Sequence, residues 1–348
     1  MATGETGKPA AATGPAGRSL TTGPPGGRME SMASELLRVV SLLPAATEIA
    51  WALGLGNQLV GRSHECDWPE AVTALPALTR PRIDPAASSR EIHEAVGRAV
   101  TETPGSSMAL FALDVERLAA LKPDVILTQA TCDVCAVAGD DVAEAVRLSG
   151  QSARIVELSA TTLAGLWADI FALGAATGVP ARARELVARL RARSTSVAYR
   201  TRTLGRAGSP RPRVAVIEWL DPPMAAGNWV PELVRLAGGE DCLGHPGEHS
   251  HWIDWPAVAK ANPDIVILAP CGFTLDRIVA EANSPTVQPH LAALRAAGAQ
   301  TIWAVDGHHL FNRPGPRLVD SLEVLTEILH PGTSRFPATS RFARRLFP

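Results

Sequence analysis

The chain has 348 residues, of which 46% are hydrophobic, and a formal net charge of −2. That length predicts two domains of ordinary size, and a near-neutral balance with no basic, aromatic-rich face excludes nucleic acid or an anionic membrane as a charge-driven partner. The five cysteines, Cys66, Cys132, Cys135, Cys242 and Cys271, are too few, too scattered and of the wrong parity for a disulfide-stapled fold.

Residues 1–37 are rich in Gly, Pro, Ala, Thr and Ser and nearly devoid of large apolar side chains. Such a segment cannot offset its ordering entropy by burial and reads as a disordered tail. It contains no apolar signal-peptide core and no cysteine that could carry a lipid, so with reduced thiols the expected location is cytoplasmic. The apolar run from Val39 to Val60 is interrupted by Pro44, Glu48, Gly54 and Gly56, which makes it a strand, a turn and a helix rather than a membrane span.

In chain order, Arg38 to Leu43 reads as a buried strand, Pro44 to Leu53 as a helix with Pro in its first turn and Gly54 after its end, and Leu59 to Arg62 as a second strand. A helix follows near Ser89 to Glu102. Asp114 caps a short helix from Val115 to Leu121, and Pro123-Asp124 leads into the strand Val125 to Thr128. A helix from Val137 to Leu148 and a strand from Arg154 to Leu158 complete this half. Strands alternating with helices predict a mostly parallel sheet covered on both faces.

The pattern then repeats. Arg213-Val-Ala-Val-Ile217 echoes Arg38-Val-Val-Ser-Leu42, and Asn262-Pro-Asp-Ile-Val-Ile-Leu268 echoes Leu121-Lys-Pro-Asp-Val-Ile-Leu127. Between the copies Thr162 caps one helix, and a second, Arg-rich helix runs from about Ala181 to Tyr199; its arginines form either a surface for an acidic partner or a solvated face. The expected organisation is a tail at 1–37, an N-terminal α/β lobe at 38–178, a connecting helix at 179–206, a C-terminal α/β lobe at 212–330 and a basic, loose tail at 331–348. The fold class is therefore α/β, with two Rossmann-like lobes, parallel sheets, and a cleft between them.

Ligands of open parallel sheets bind beyond the carboxyl ends of the strands. The residues there are Ser63-His64-Glu65-Cys66-Asp67-Trp68-Pro69, Gln129 to Cys135, Glu218-Trp219-Leu-Asp221-Pro-Pro223, Pro270-Cys271-Gly272-Phe273, and Asp306-Gly307-His308-His309 followed by Arg313-Pro-Gly-Pro-Arg317. Trp68, Trp219, Trp229 and Phe273 offer flat apolar walls for a large planar ligand. Cys66, Cys132, Cys135 and Cys271 are open to three readings: core packing, a thiolate site for zinc or iron, or redox work. His245, His249 and His251 have metal-ligand spacing but sit in a Gly-Pro loop that also reads as plain surface. No nucleophile elbow, Walker loop or zinc-protease motif is present, so no catalytic function is expected.

Arg38 to Glu48, Leu59 to Pro69 and Leu118 to Asp124 resemble the substrate-binding components of cobalamin and iron-siderophore ABC importers, the class III, helical-backbone metal receptors. With the Cys-x-x-Cys, Glu-Trp-Leu-Asp-Pro-Pro, Pro-Cys-Gly-Phe and Arg-Pro-Gly-Pro-Arg stretches, the resemblance is to a cobalamin-binding branch. It implies two lobes joined by one long helix and a non-catalytic site for a corrinoid or related metal chelate in the cleft. His64, Glu65, Trp68, Glu218, Trp219, Trp229, Phe273 and Arg313 would line that site, with His64 or a cleft cysteine near a metal's axial position. The alternative is a cytosolic zinc or iron protein, possibly an enzyme, built on the four cysteines. Family members also dock on an ABC permease through one Glu per lobe; Glu116 stands in the first position, but Pro256 occupies the second, with Asp254 nearby. The importer members are exported, and residues 1–37 show no export signal.

Overall fold

The computed structural model describes residues 36–102, 107–130, 139–148, 152–205, 210–332 and 336–347. The sequence of residues 1–35, with Cys132 and Cys135, lies outside them, so the expected disordered tail and the Cys-x-x-Cys pair are not described.

The first sheet is built from short apolar runs. Strands β1 (Val39–Ser41) and β2 (Leu59–Arg62) are followed by a small antiparallel pair, β3 (Thr79–Pro81) with β4 (Phe111–Leu113), and then by β5 (Val125–Gln129) and β6 (Arg154–Leu158). The main sheet has the order β2-β1-β5-β6, all parallel. Every residue of β1 and β5 is buried, as central parallel strands covered on both faces require. Helix α1 (Pro44–Ala52) starts on Pro44, whose missing N–H is no loss in a first turn. Helices α2 (Ser89–Glu102), α3 (Val115–Leu121) and α4 (Gly139–Leu148) follow. Asp114 caps α3 by accepting from the Arg117 N–H, as its sequence position predicts.

Helix α5 (Leu163–Ala176), capped by Thr162, leads into α6 (Pro180–Gly205), which is 26 residues long and so spans about 39 Å. It runs six residues beyond the expected end at Tyr199. Three of its arginines are spent on the fold rather than on an acidic partner: Arg182 donates to the Leu53 carbonyl, Arg191 lies over the Trp167 ring, and Arg193 bridges Asp320 and Glu323.

The second sheet contains β7 (Arg213–Leu220), β8 (Pro223–Ala225), β9 (Glu240–Asp241), β10 (His251–Trp252), β11 (Ile265–Leu268), β12 (Thr301–Val305) and β13 (Ala343–Leu346). Its order is β10-β8-β7-β11-β12-β13, with β9 paired to β7. Strands β7, β11 and β12 are parallel, and β8, β10 and β13 are antiparallel additions. The last of these replaces the loose tail expected from sequence: Ala343–Leu346 closes the open edge of β12, an edge that offers unpaired backbone groups to any nearby chain.

The internal repeat is visible atom by atom. The Arg38 N–H donates to the Asp124 carboxylate at 2.8 Å and the Arg213 N–H to Asp264 at 2.7 Å. The two guanidinium groups reach the Leu121 and Ala261 carbonyls in the same way. The residues just before each Pro-Asp, Lys122 and Asn262, both take a left-handed backbone, with φ of 44° and 50°. One apolar cluster then runs from α1 through α5 and α6 into the second sheet and the helix Leu318–Leu329.

Candidate functional site

The turn after β2 is fixed from below. Cys66 is fully buried, its thiol beside the Thr47 hydroxyl at 3.0 Å, and Arg62 ties down the carbonyls of Ser63, His64, Thr73 and Leu75. Burial pushes the Cys66 thiol up to about 11 against the pull of its hydrogen bonds, and its sulfur is enclosed beside Thr47 and the Ser41 carbonyl as a packed side chain. With Cys66 inward, Glu65, Asp67 and Trp68 are turned toward the second sheet's loops.

The turn after β12 faces it. Asp306 accepts from the backbone N–H of His309 and Leu275, and its carboxylate also meets His309 Nδ1 at 3.0 Å. Burial alone would raise Asp306, but the His309 hydrogen bonds and charge hold it below the usual carboxylate range. Gly307 is required here because a Cβ would collide with the Pro270 carbonyl.

The two turns meet. Asp67 Oδ2 lies 2.6 Å from His308 Nε2 and 3.7 Å from His309 Nε2, while Arg313 donates to Asp67 Oδ1 at 2.6 Å. Burial would raise Asp67, yet the donors His308 and Arg313 and their charge hold it well below the usual carboxylate range. Burial pushes Glu65 up. Glu48, on α1, is buried and takes a two-pronged contact from Arg317, at 3.0 and 2.6 Å, plus Arg313 at 3.4 Å. Gly315 lets that loop approach, since its Cβ would stand 3.1 Å from the Glu48 carboxylate. The half-buried Trp68 ring has the Arg317 guanidinium 4.7 Å and the Arg341 guanidinium 5.6 Å from its centre.

A second set of contacts crosses the cleft at α2. Arg90 grips Asp221, Ser89 is held by Glu281, and Trp219 Nε1 donates to the Ser89 carbonyl. The structure therefore joins the two halves at their mouth by charged and polar groups.

Of the residues selected from sequence, Glu65, Trp68 and Arg313 converge here. His64 sits to one side: Thr79 Oγ1 accepts from its backbone N–H and lies 2.7 Å from Nδ1, and burial, then the Arg62 charge, lowers the imidazole to about 4. Trp219, Trp229 and Phe273 are buried in cores, with Trp219 edge-on to Phe273 and Trp229 Nε1 spent on the Phe311 carbonyl at 2.7 Å. Glu218 accepts from Ser250. Cys271 packs against the second apolar core, away from the core that contains Cys66. Cys66 and Cys271 therefore sit in separate cores, Cys132 and Cys135 lie outside the described residues, and among the described residues the His245, His249 and His251 stretch gathers no metal-holding group. Glu48, Asp67, His308, His309 and Arg317 were not selected, although all but Glu48 lie on strand-end loops. Glu116 is exposed on α3; Pro256 and Asp254 are exposed, and Asp254 caps a helix through the Ala257 N–H. A cavity of about 1630 Å³ lies at the opposite, amino ends of the second sheet's strands, beside Arg213, Asp264 and Gln300.

A family model described as periplasmic binding protein matches residues 39–311. The chain belongs to the periplasmic binding protein family. It is 24% identical over 289 residues to a vitamin B12-binding protein of Vibrio cholerae, covering 82% of this chain and 86% of that one. It is 22% identical over 301 residues to an ABC transporter substrate-binding lipoprotein of Bacillus subtilis, YvrC, covering 85% and 81%. A periplasmic heme-binding protein of Pseudomonas aeruginosa superposes with a TM-score of 0.66 at 23% identity, over 88% of this chain and 97% of that one. The periplasmic vitamin B12-binding protein BtuF of Vibrio cholerae gives 0.58 at 21%, over 86% and 98%. As a member of this family the chain is a binding protein, not an enzyme. The expectation of a cytoplasmic location is corrected by the same relatives, which are periplasmic receptors and a lipoprotein. The expectation rested on the missing signal-peptide core, with the unpaired cysteines as support; the second of these carried no weight, because a thiol buried like Cys66 is a small packing group whatever the redox compartment.

Proposed function

We propose that this chain binds a corrinoid or a closely related metal chelate at the junction of Glu65, Trp68, Arg313 and Arg317 and presents it to an ABC permease. The supporting observation is the Arg317–Trp68 pair. A half-buried indole face lies beside a guanidinium that keeps one buried nitrogen, Nη1, without a protein acceptor among the described residues. Such a donor suits the amide or phosphate oxygens on the rim of a corrinoid, and the indole suits its flat face. The likeness to a vitamin B12-binding protein over 82% of this chain supports the same class of ligand. Entry requires the mouth to open, and its contacts are polar ones that water and ligand can replace. Permease docking is proposed to use Glu116, with Asp254 standing in near Pro256, a weaker two-point dock than a pair of free glutamates.

A second reading, heme, is favoured by the imidazoles of His308 and His309 at the mouth, since imidazole is a common axial ligand of heme iron. The test is absorbance after gel filtration of protein mixed with cyanocobalamin or with hemin. A retained corrin band near one per chain, lost in Trp68→Ala, supports the corrinoid reading. A retained Soret band that shifts in His308→Ala, with no corrin retained, replaces it with the heme reading.

A further inference from the structure

The group Asp67, His308 and His309 has a property that neither macrocycle requires. One ligand atom from each of the three lies within 4.8 Å of the other two, and all three side chains are half-buried. The carboxylate comes from the turn after β2 and both imidazoles from the turn after β12. We propose that these three residues form a site for a bare divalent transition-metal ion, which would clip the two halves of the protein together at the mouth.

Four observations carry this. First, the donor set is two imidazoles and one carboxylate, which suits zinc, iron or nickel and leaves open positions for water or cargo. Second, the distances are near those of a bound ion. Metal bonds of ~2.0–2.1 Å in a tetrahedral arrangement set neighbouring ligand atoms ~3.3 Å apart. The separations of 2.6 and 3.7 Å from Asp67 Oδ2 straddle that value, and the ligand atoms of the two imidazoles lie within 4.8 Å of each other. Third, His309 is already oriented as metal-ligating imidazoles are. Its Nδ1 faces the Asp306 carboxylate at 3.0 Å, and Asp306 is itself buried and held by two backbone N–H groups. That arrangement fixes the tautomer and turns Nε2 toward Asp67. Fourth, His308 Nε2 faces two incompatible neighbours, Asp67 Oδ2 at 2.6 Å and Arg313 Nη2 at 3.0 Å. One nitrogen cannot donate to the first and accept from the second. An ion between His308 and Asp67 removes the conflict: Nε2 becomes a ligand, and Arg313 keeps Asp67 Oδ1, Glu48 and the Glu65 carbonyl.

A cavity of about 230 Å³ adjoins His309 and is bordered by Asp276, Asp306, Arg341 and Arg344. The proposal stands apart from the corrinoid reading, because it needs no macrocycle.

The test uses zinc alone. The full chain is stripped with EDTA, desalted, loaded with zinc sulfate and desalted again, and bound zinc is measured by elemental analysis beside titration calorimetry. One zinc per chain is expected, together with a zinc-dependent rise in melting temperature. The His308→Ala/His309→Ala variant should lose the zinc, and His309→Gln, which preserves a polar side chain of similar reach, should lose it too. Asp306→Asn should bind about 10–100-fold more weakly, as expected when a ligand's orienting partner is removed. His249→Ala/His251→Ala should keep full stoichiometry. Less than one zinc with no melting shift in the parent, zinc unaffected by the His308 and His309 substitutions, or zinc lost with His249 and His251 would each overturn the proposal. Corrin retention is read separately by absorbance, so failure of one proposal is distinguishable from failure of the other.

Discussion

Replacing Arg317 with Met should expose how tightly the mouth is closed. The Glu48 side chain is 3% exposed and that of Arg317 10%. The substitution removes the donors at 3.0 and 2.6 Å and leaves Glu48 only the Arg313 contact at 3.4 Å. Taking one partner from a buried ion pair costs about 3–5 kcal/mol, because the remaining charge is stranded in a poor solvent. The surviving Arg313 contact places this case near the lower end, about 3 kcal/mol. For a chain of this size roughly 2 °C of melting temperature corresponds to each kcal/mol, so the shift should be about 6 °C. Urea unfolding and thermal melting followed by circular dichroism measure it. The double variant Glu48→Gln/Arg317→Met should recover much of the loss, since no charge is then stranded, and the cycle should show strong coupling. A loss below about 1 kcal/mol, or a double variant as poor as the two single losses added, would refute the reasoning. It would mean that Glu48 is hydrated in solution and the pair behaves as an exposed one.

Three further outcomes are expected. His64 is lowered to about 4 by burial and then by Arg62; the folded protein therefore favours the neutral ring, and the stability it contributes is complete above about 6.5 and lost as pH falls toward 4. In His64→Gln the melting temperature should vary less over that window than in the parent. Native Cys66 should resist alkylation by iodoacetamide at neutral pH, read by peptide mass mapping, because its thiol is buried and pushed up to about 11; rapid labelling would show that the turn above it opens. Trp229→Phe removes the donor to the Phe311 carbonyl and should cost about 1–3 kcal/mol in urea unfolding, while leaving corrin retention unchanged; lost retention would place Trp229 in the ligand's path.

Much of the fold is legible in the sequence because the signals are local. Pro44, Asp114 and Thr162 mark helix starts by their own chemistry, and runs such as Val125 to Thr128 and Ile265 to Leu268 are apolar throughout because helices cover both of their faces. Strand β13 is less legible, since Ala-Arg-Arg-Leu has no strand pattern of its own; the open edge of β12 creates it. The site is legible as a set of loops but not as a set of side chains. The aromatic residues chosen as ligand walls have large surfaces that folding buries, and Trp219 and Trp229 each place the indole N–H on a backbone carbonyl. Glu48 is hidden for the opposite reason. It stands in the sequence as a lone charge in an apolar helix, but nothing local names its partner, Arg317, which lies 269 positions away.

The division of labour between apolar and charged contacts follows from the same geometry. On the side of α6, Leu186, Val187 and Leu190 join Leu322, Val324 and Ile328 in one buried apolar cluster that reaches both sheets. Separating the halves there would expose hydrocarbon at about 25 cal/mol per Å², with nothing in water to offset it. At the mouth the contacts are Arg313 with Asp67, Arg317 with Glu48, Arg90 with Asp221 and Ser89 with Glu281. When the mouth opens, both partners of each pair pass into water or onto a ligand together, so neither charge is stranded as it is when one partner is deleted. A protein fastened by hydrocarbon on one side and by exchangeable charge on the other separates at least cost on the charged side. That side is where the strands' carboxyl ends, Trp68 and the imidazoles of His308 and His309 lie, so the groups able to hold a ligand are those whose partners it can replace.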